Sequence, residues 1–72
     1  MLGRDYKSAL QERLQSKGLA LPHYRLTGQE GPDHRKIFHV DVVVAGETLA
    51  SATGKAKKEA EQEAARLALA RL

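Results

Sequence analysis

Three lysines, Lys55, Lys57 and Lys58, follow Gly54 and open a run rich in alanine and leucine that reaches the end of the chain. Alanine and leucine are strong helix formers, so Lys57 and Lys58 fall on the first turn of a helix, with Lys55 just ahead. A helix N-terminus carries about half a positive charge, and acidic side chains there stabilise it by about 0.3–1 kcal/mol each. Here the first turn is basic, and Glu59, Glu61 and Glu63 follow too late to offset more than part of the conflict. An anion resolves it: free backbone N–H groups, the dipole and three ammonium groups would converge on one phosphate. Gly54 would let the backbone approach closely. By charge alone a lysine run is also what a solvated surface looks like. Its position, against the local rule for helix starts, favours a phosphate site.

Two further constellations carry polar chemistry. Ser8, Gln11, Glu12 and Gln15 recur at helical spacing and form an uncharged-to-acidic face of donors and acceptors. An acidic residue there is unsuited to phosphate, but such a face suits ribose 2′-hydroxyls and base edges in a shallow groove. In the turn Gly31-Pro32-Asp33-His34, Pro32 stiffens the backbone and His34 offers a ring nitrogen. Taken alone, the first is also the wet side of a helix and the second a plain loop. His23, His34 and His39 have no metal-ligand spacing and no thiolate partner, since the chain has no cysteine.

The elements that must position these residues are legible from pattern. Asp5 offers an N-cap, and Tyr6, Leu10 and Leu14, with Ala9 beside them, make an apolar stripe that ends before Gly18. This predicts a first helix over residues 5–17, stopped by a glycine suited to the end of a helix. Leu19-Ala20-Leu21-Pro22 is an apolar connector whose proline forbids helix continuation. A strand is expected over residues 24–29, and a clearer one over 38–44, where Phe38, Val40, Val42 and Val44 alternate with His39, Asp41 and Val43. Ala45-Gly46-Glu47 reads as a hairpin turn, with a third strand over 48–53. The last helix spans residues 56–72, with Ala60, Ala64 and Ala68 on one face, flanked by Leu67 and Leu72. The fold class is therefore α+β, ordered α-β-β-β-α, with a three-stranded antiparallel sheet and two helices packed on one face. Residues 1–4 read as a linker end or an added remnant, and 5–72 as the domain.

Composition narrows the partners. A 72-residue chain is a single domain, and one of this size buries only about 60% of its unfolded surface. With no cysteine and 42% hydrophobic residues, its core rests on packing alone. No apolar run approaches the roughly 20 residues of a membrane span. The net charge of +3 is mild, so the distribution of charge matters more than its sum. Tyr6, Tyr24 and Phe38 are the only aromatics, too few for a platform that stacks single-stranded bases.

As a set, and in this order, these residues resemble the double-stranded RNA-binding domain family. The resemblance runs over residues 5–72 through Leu10-Gln11-Glu12, Pro22-His23-Tyr24, the Gly31-Pro32-Asp33-His34 turn, Phe38-His39-Val40, the segment from Gly54 to Glu61, and Ala64-Ala65. Within the family the chain is most similar to the C-terminal domain of bacterial ribonuclease III, on Asp5-Tyr6-Lys7-Ser8, Gln15 and Lys57-Lys58-Glu59-Ala60-Glu61. The resemblance implies that Ser8, Gln11, Glu12 and Gln15 meet one minor groove and that Gly31, Pro32 and His34 meet the next. Lys55, Lys57 and Lys58 would then span the major-groove phosphates between them, over about 16 base pairs. It implies no cofactor for this domain and no catalytic residue within it, with magnesium and cleavage belonging to a separate nuclease domain. It also implies a monomeric domain, a homodimeric parent and a cytoplasmic location.

Two departures from the family pattern stand out. A serine that can cap the last helix is replaced by Ala56, which should weaken the helix start by about 0.5–2 kcal/mol. Ala50 and Ala52 stand where glycines are common in the third strand. The competing readings are a free-standing RNA binder and a protein-interaction module of the same fold. The second typically loses the basic helix start that this chain keeps. Duplex DNA is a weaker competitor, because a face containing Glu12 wants the 2′-hydroxyl that DNA lacks.

Overall fold

The computed structural model describes residues 5–72, so the reading of residues 1–4 as a linker lies outside the described residues. Helix α1 (Tyr6–Ser16) is followed by strand β1 (His23–Glu30), a single 3-10 turn (Asp33–Arg35), strands β2 (Ile37–Val44) and β3 (Glu47–Gly54), and helix α2 (Lys57–Ala70). The strands form one antiparallel sheet in the order β1-β2-β3. This is the α-β-β-β-α sandwich expected from the pattern.

Local chemistry explains the boundaries. Asp5 caps α1 by accepting from the Ser8 N–H, at 3.3 Å. At the other end Gly18 takes φ +70°, and the N–H groups of Gly18 and Leu19 reach back to the carbonyls of Gln15 and Leu14. That paired closure is the Schellman ending, which needs a left-handed residue. The hairpin between β2 and β3 is tighter than expected. Only Ala45 and Gly46 form the turn, at φ +52° and +83°, and Glu47 already belongs to β3. Two left-handed residues make the type I′ turn whose twist matches the strands it joins.

The register puts Tyr24, Val42 and Ala50 in one row and Leu26, Val40 and Ala52 in the next; all of these pack in or against the core except Leu26, which is exposed on the edge strand. Thr27 bulges out of the β1–β2 pairing and Leu49 out of β2–β3. On the opposite face Arg25, Asp41 and Ser51 align, with the Ser51 hydroxyl donating to Asp41 at 2.6 Å.

Leu10, Leu14, Val40, Val42, Val44 and Ala50 pack with Ala60, Ala64, Ala65 and Ala68 of α2 to form the core. The alanines let α2 lie close across β2 and β3, while α1 rests chiefly on α2. Ala9, expected beside the apolar stripe of α1, is exposed. It precedes Leu10 by one helical step of about 100°, enough to turn it away from the line set by Leu10 and Leu14. Leu19 and Leu21 of the connector are also exposed.

Candidate nucleic-acid interface

The lysines stand where expected, at and just before the first turn of α2, and all three are exposed. Among the described residues none of their ammonium groups is in an ion pair. Ala56 is the N-cap, extended at φ −139°, and gives the first-turn N–H groups no side-chain acceptor. Glu59 turns back and accepts from the Lys55 N–H at 2.8 Å, one residue before the N-cap N–H that a capping-box glutamate takes, so this bond does not replace the missing cap. Its carboxylate therefore faces backbone and leaves the lysines unpaired.

The cluster does not converge on one spot. Lys58 lines a groove between the helices with Ser8, Gln11, Tyr24 and Gln62. Lys55 lines a separate hollow with His34, Arg35, Lys36 and Phe38. Lys57 and Lys58 point about 100° apart on the helix, while Lys55 precedes the N-cap and is not bound to that periodicity, so the lysines fan out and the cluster joins the two other constellations. Gly54 is buried, and a Cβ on it would lie 2.6 Å from the Ala60 nitrogen. The close approach that this glycine permits is that of α2 onto β3, which aims the lysine-bearing turn.

Ser8, Gln11, Glu12 and Gln15 are all exposed on α1. Ser8 and Gln11 share the groove with Lys58, whereas Gln15 lies outside it. Glu12 stands at the other margin, beside a hollow also lined by Arg13 and Arg66. The Ser8 hydroxyl donates to Asp5 Oδ2 at 2.7 Å, so toward a ligand it serves as an acceptor, for a group such as a hydroxyl.

In the β1–β2 loop, Gly31 takes φ +95°, and a Cβ there would lie 2.5 Å from the Arg35 carbonyl oxygen. The Arg35 N–H donates to the Pro32 carbonyl at 2.8 Å. Gly31 thus shapes the turn, and Pro32 and His34 are presented on it, both exposed. Arg35 adds positive charge beside His34 in the hollow that Lys55 completes, and Lys36 lies there too, paired with Asp33 at 3.6 Å; neither basic residue was singled out from the sequence. Their signal was present as the consecutive run His34-Arg35-Lys36.

Other residues of the groove had no local signal. Lys7 Nζ lies 2.6 Å from Glu61 and 4.8 Å from the centre of the Tyr24 ring. The Tyr24 hydroxyl is buried without a hydrogen-bond partner, and burial, with the nearby charges of Glu61 and Asp5, pushes it up to about 12. Asp5 is held down at about 2, first by the Gln62 amide and then by Ser8. Among the described residues no three His, Asp or Glu side chains cluster as a metal site, and no helix is long and apolar enough to cross a membrane.

Comparison with known proteins bears on the fold and the family. The ribonuclease 3 of Wolinella succinogenes is 56% identical over 68 residues, which cover 94% of this chain and 29% of that protein. The chain spans 28–32% of the length of the most similar curated relatives, all ribonuclease 3 proteins. A solved structure of Arabidopsis HYL1, described for its implications for miRNA processing, superposes with a TM-score of 0.79 at 36% identity, covering 94% of this chain and 96% of that one. Dicer from Pichia stipitis gives a TM-score of 0.75 at 27% identity, over 92% of this chain and 32% of that one. The sequence model of the double-stranded RNA binding motif matches residues 6–72. With the five elements in order and the basic helix start in place, the chain belongs to the double-stranded RNA binding motif family.

Proposed function

We propose that this chain reads duplex RNA by its A-form shape and serves as the RNA-binding portion of a ribonuclease III. In this reading Ser8, Gln11, Glu12 and Gln15 meet one minor groove, and the turn of Gly31, Pro32 and His34 meets the next. Lys55, Lys57 and Lys58 take the phosphates across the intervening major groove. The carrying observation is the fan of the lysines: Lys58 shares a groove with Ser8 and Gln11, and Lys55 shares a hollow with His34. Three sets of residues far apart in sequence are thereby linked through one basic element, as a ligand with alternating grooves and phosphates requires. Cleavage would belong to the remainder of a longer parent, since the curated relatives are about three times as long as the matched segment.

Binding of equal-length duplex RNA, duplex DNA and single-stranded RNA, measured side by side, tests the reading. Duplex RNA should bind tightest, and equal affinity for all three would sink it. Lys58→Ala should weaken binding and lower the slope of log K against log salt by about 0.9, the contribution of one neutralised phosphate. Gln11→Ala should weaken binding with the slope unchanged, because hydroxyl contacts release no counterions.

A further inference from the structure

Gln62 lies one helical turn beyond Lys58 and lines the same groove. Its side-chain amide is used at both ends. Nε2 donates to Asp5 Oδ1 at 2.8 Å, and Oε1 accepts from the Tyr6 N–H at 2.7 Å. The orientation of the amide is fixed by its partners, because a backbone N–H can only donate and a carboxylate only accepts. We propose that Gln62 is a positioning residue: it sets where the minor-groove face of α1 stands relative to the phosphate-binding turn of α2. This inference rests on the duplex-RNA reading of the site.

The argument starts from how α1 is held. Helix α1 packs on α2 more than on the sheet, and its fully buried anchors are Leu10 and Leu14. Apolar contacts of that kind are non-directional and leave rotation and sliding of the first turn weakly specified. That first turn carries Ser8, with Gln11 one turn on. Directional bonds hold it: the two of Gln62, and the Lys7–Glu61 pair at 2.6 Å beside them. All reach α2 within about one turn of Lys58. Glutamine suits the role because it offers a donor and an acceptor from a single rigid amide. Loss of the bridge would free the hydroxyl-facing residues while Lys57 and Lys58 kept their phosphates. RNA-over-DNA preference would therefore fall without any change in salt dependence.

Gln62→Met keeps the bulk and removes both bonds without adding charge. Duplex RNA should bind about five- to tenfold more weakly, in line with the loss of a bridging hydrogen bond. Duplex-DNA affinity and the salt slope should stay unchanged. Gln62→Leu, which also removes both bonds without adding charge, should give the same narrowed preference if Gln62→Met does not fold. A purely structural residue would lower RNA and DNA binding in parallel, in proportion to the unfolded fraction seen by circular dichroism. Parallel losses would overturn the inference while leaving wild-type RNA preference intact. Absence of that preference in the wild type would instead remove the functional reading, and this inference with it.

Discussion

Two titrating side chains tie the groove to pH. Asp5 accepts hydrogen bonds from Gln62 and Ser8 best as a carboxylate, which lowers it from 3.8 to about 2. A depressed folded-state value means that its stabilisation is present above about pH 4 and is lost as pH falls toward 2. Denaturant unfolding at pH 6, 4 and 2 should show this acid loss in the wild type and a shallower one in Asp5→Asn. Tyr24 shifts the other way, from 10 to about 12. The unfolded chain then releases its phenol proton first, so stability should fall as pH rises from 10 to 12. Tyr24→Phe should remove that alkaline loss. Because the hydroxyl has no partner to abandon, the substitution should change stability at neutral pH by less than about 1 kcal/mol. The cation over the ring needs only the π face, which phenylalanine retains.

At the scale of elements, the contact between β3 and α2 governs where the lysines point. Gly54 meets the backbone of Ala60 and Glu59 with no room for a methyl group. Gly54→Ala should cost about 1–3 kcal/mol, as overpacking does, and should weaken RNA binding even at temperatures where the protein stays folded. Unfolding midpoints and binding measured on the same preparation would check both, and wild-type affinity in a folded variant would show that the seat does not aim the turn. The start of α2 shows how local rules give way to neighbours. Ala56 leaves the cap empty, and the bond of Glu59 to the Lys55 N–H ties the segment before the helix to its first turn without satisfying the first-turn N–H groups. A carboxylate in that turn is still favoured by the dipole.

At the scale of the molecule, stability is thin. Domains hold roughly 0.05–0.15 kcal/mol per residue, which for 72 residues is about 4–11 kcal/mol. Leu14 is fully buried in the shared core, and Leu14→Ala should remove about 2–5 kcal/mol of that. Calorimetry should show a melting temperature lower by roughly 10 °C or more, and a drop of a degree or two would mean that the core relaxes around the cavity. Much of this architecture was legible beforehand. The periods of Tyr6, Leu10 and Leu14 and of Phe38, Val40, Val42 and Val44, the stops at Gly18 and Pro22, and the lysines at a helix start are local signals. Each follows from backbone sterics and side-chain spacing within a few residues, and together they determined the element order and the three polar constellations. Tertiary structure decided the rest: that Lys58 faces α1 and Lys55 the His34 loop, that Gly54 is a seat for α2, and that Gln62 grips the first turn of α1. Gln62 and Asp5 are 57 residues apart, and Lys7 and Glu61 are 54 apart. No periodicity within one helix encodes such a pair, because it forms only when packing of the alanine face against the sheet has set the two helices side by side.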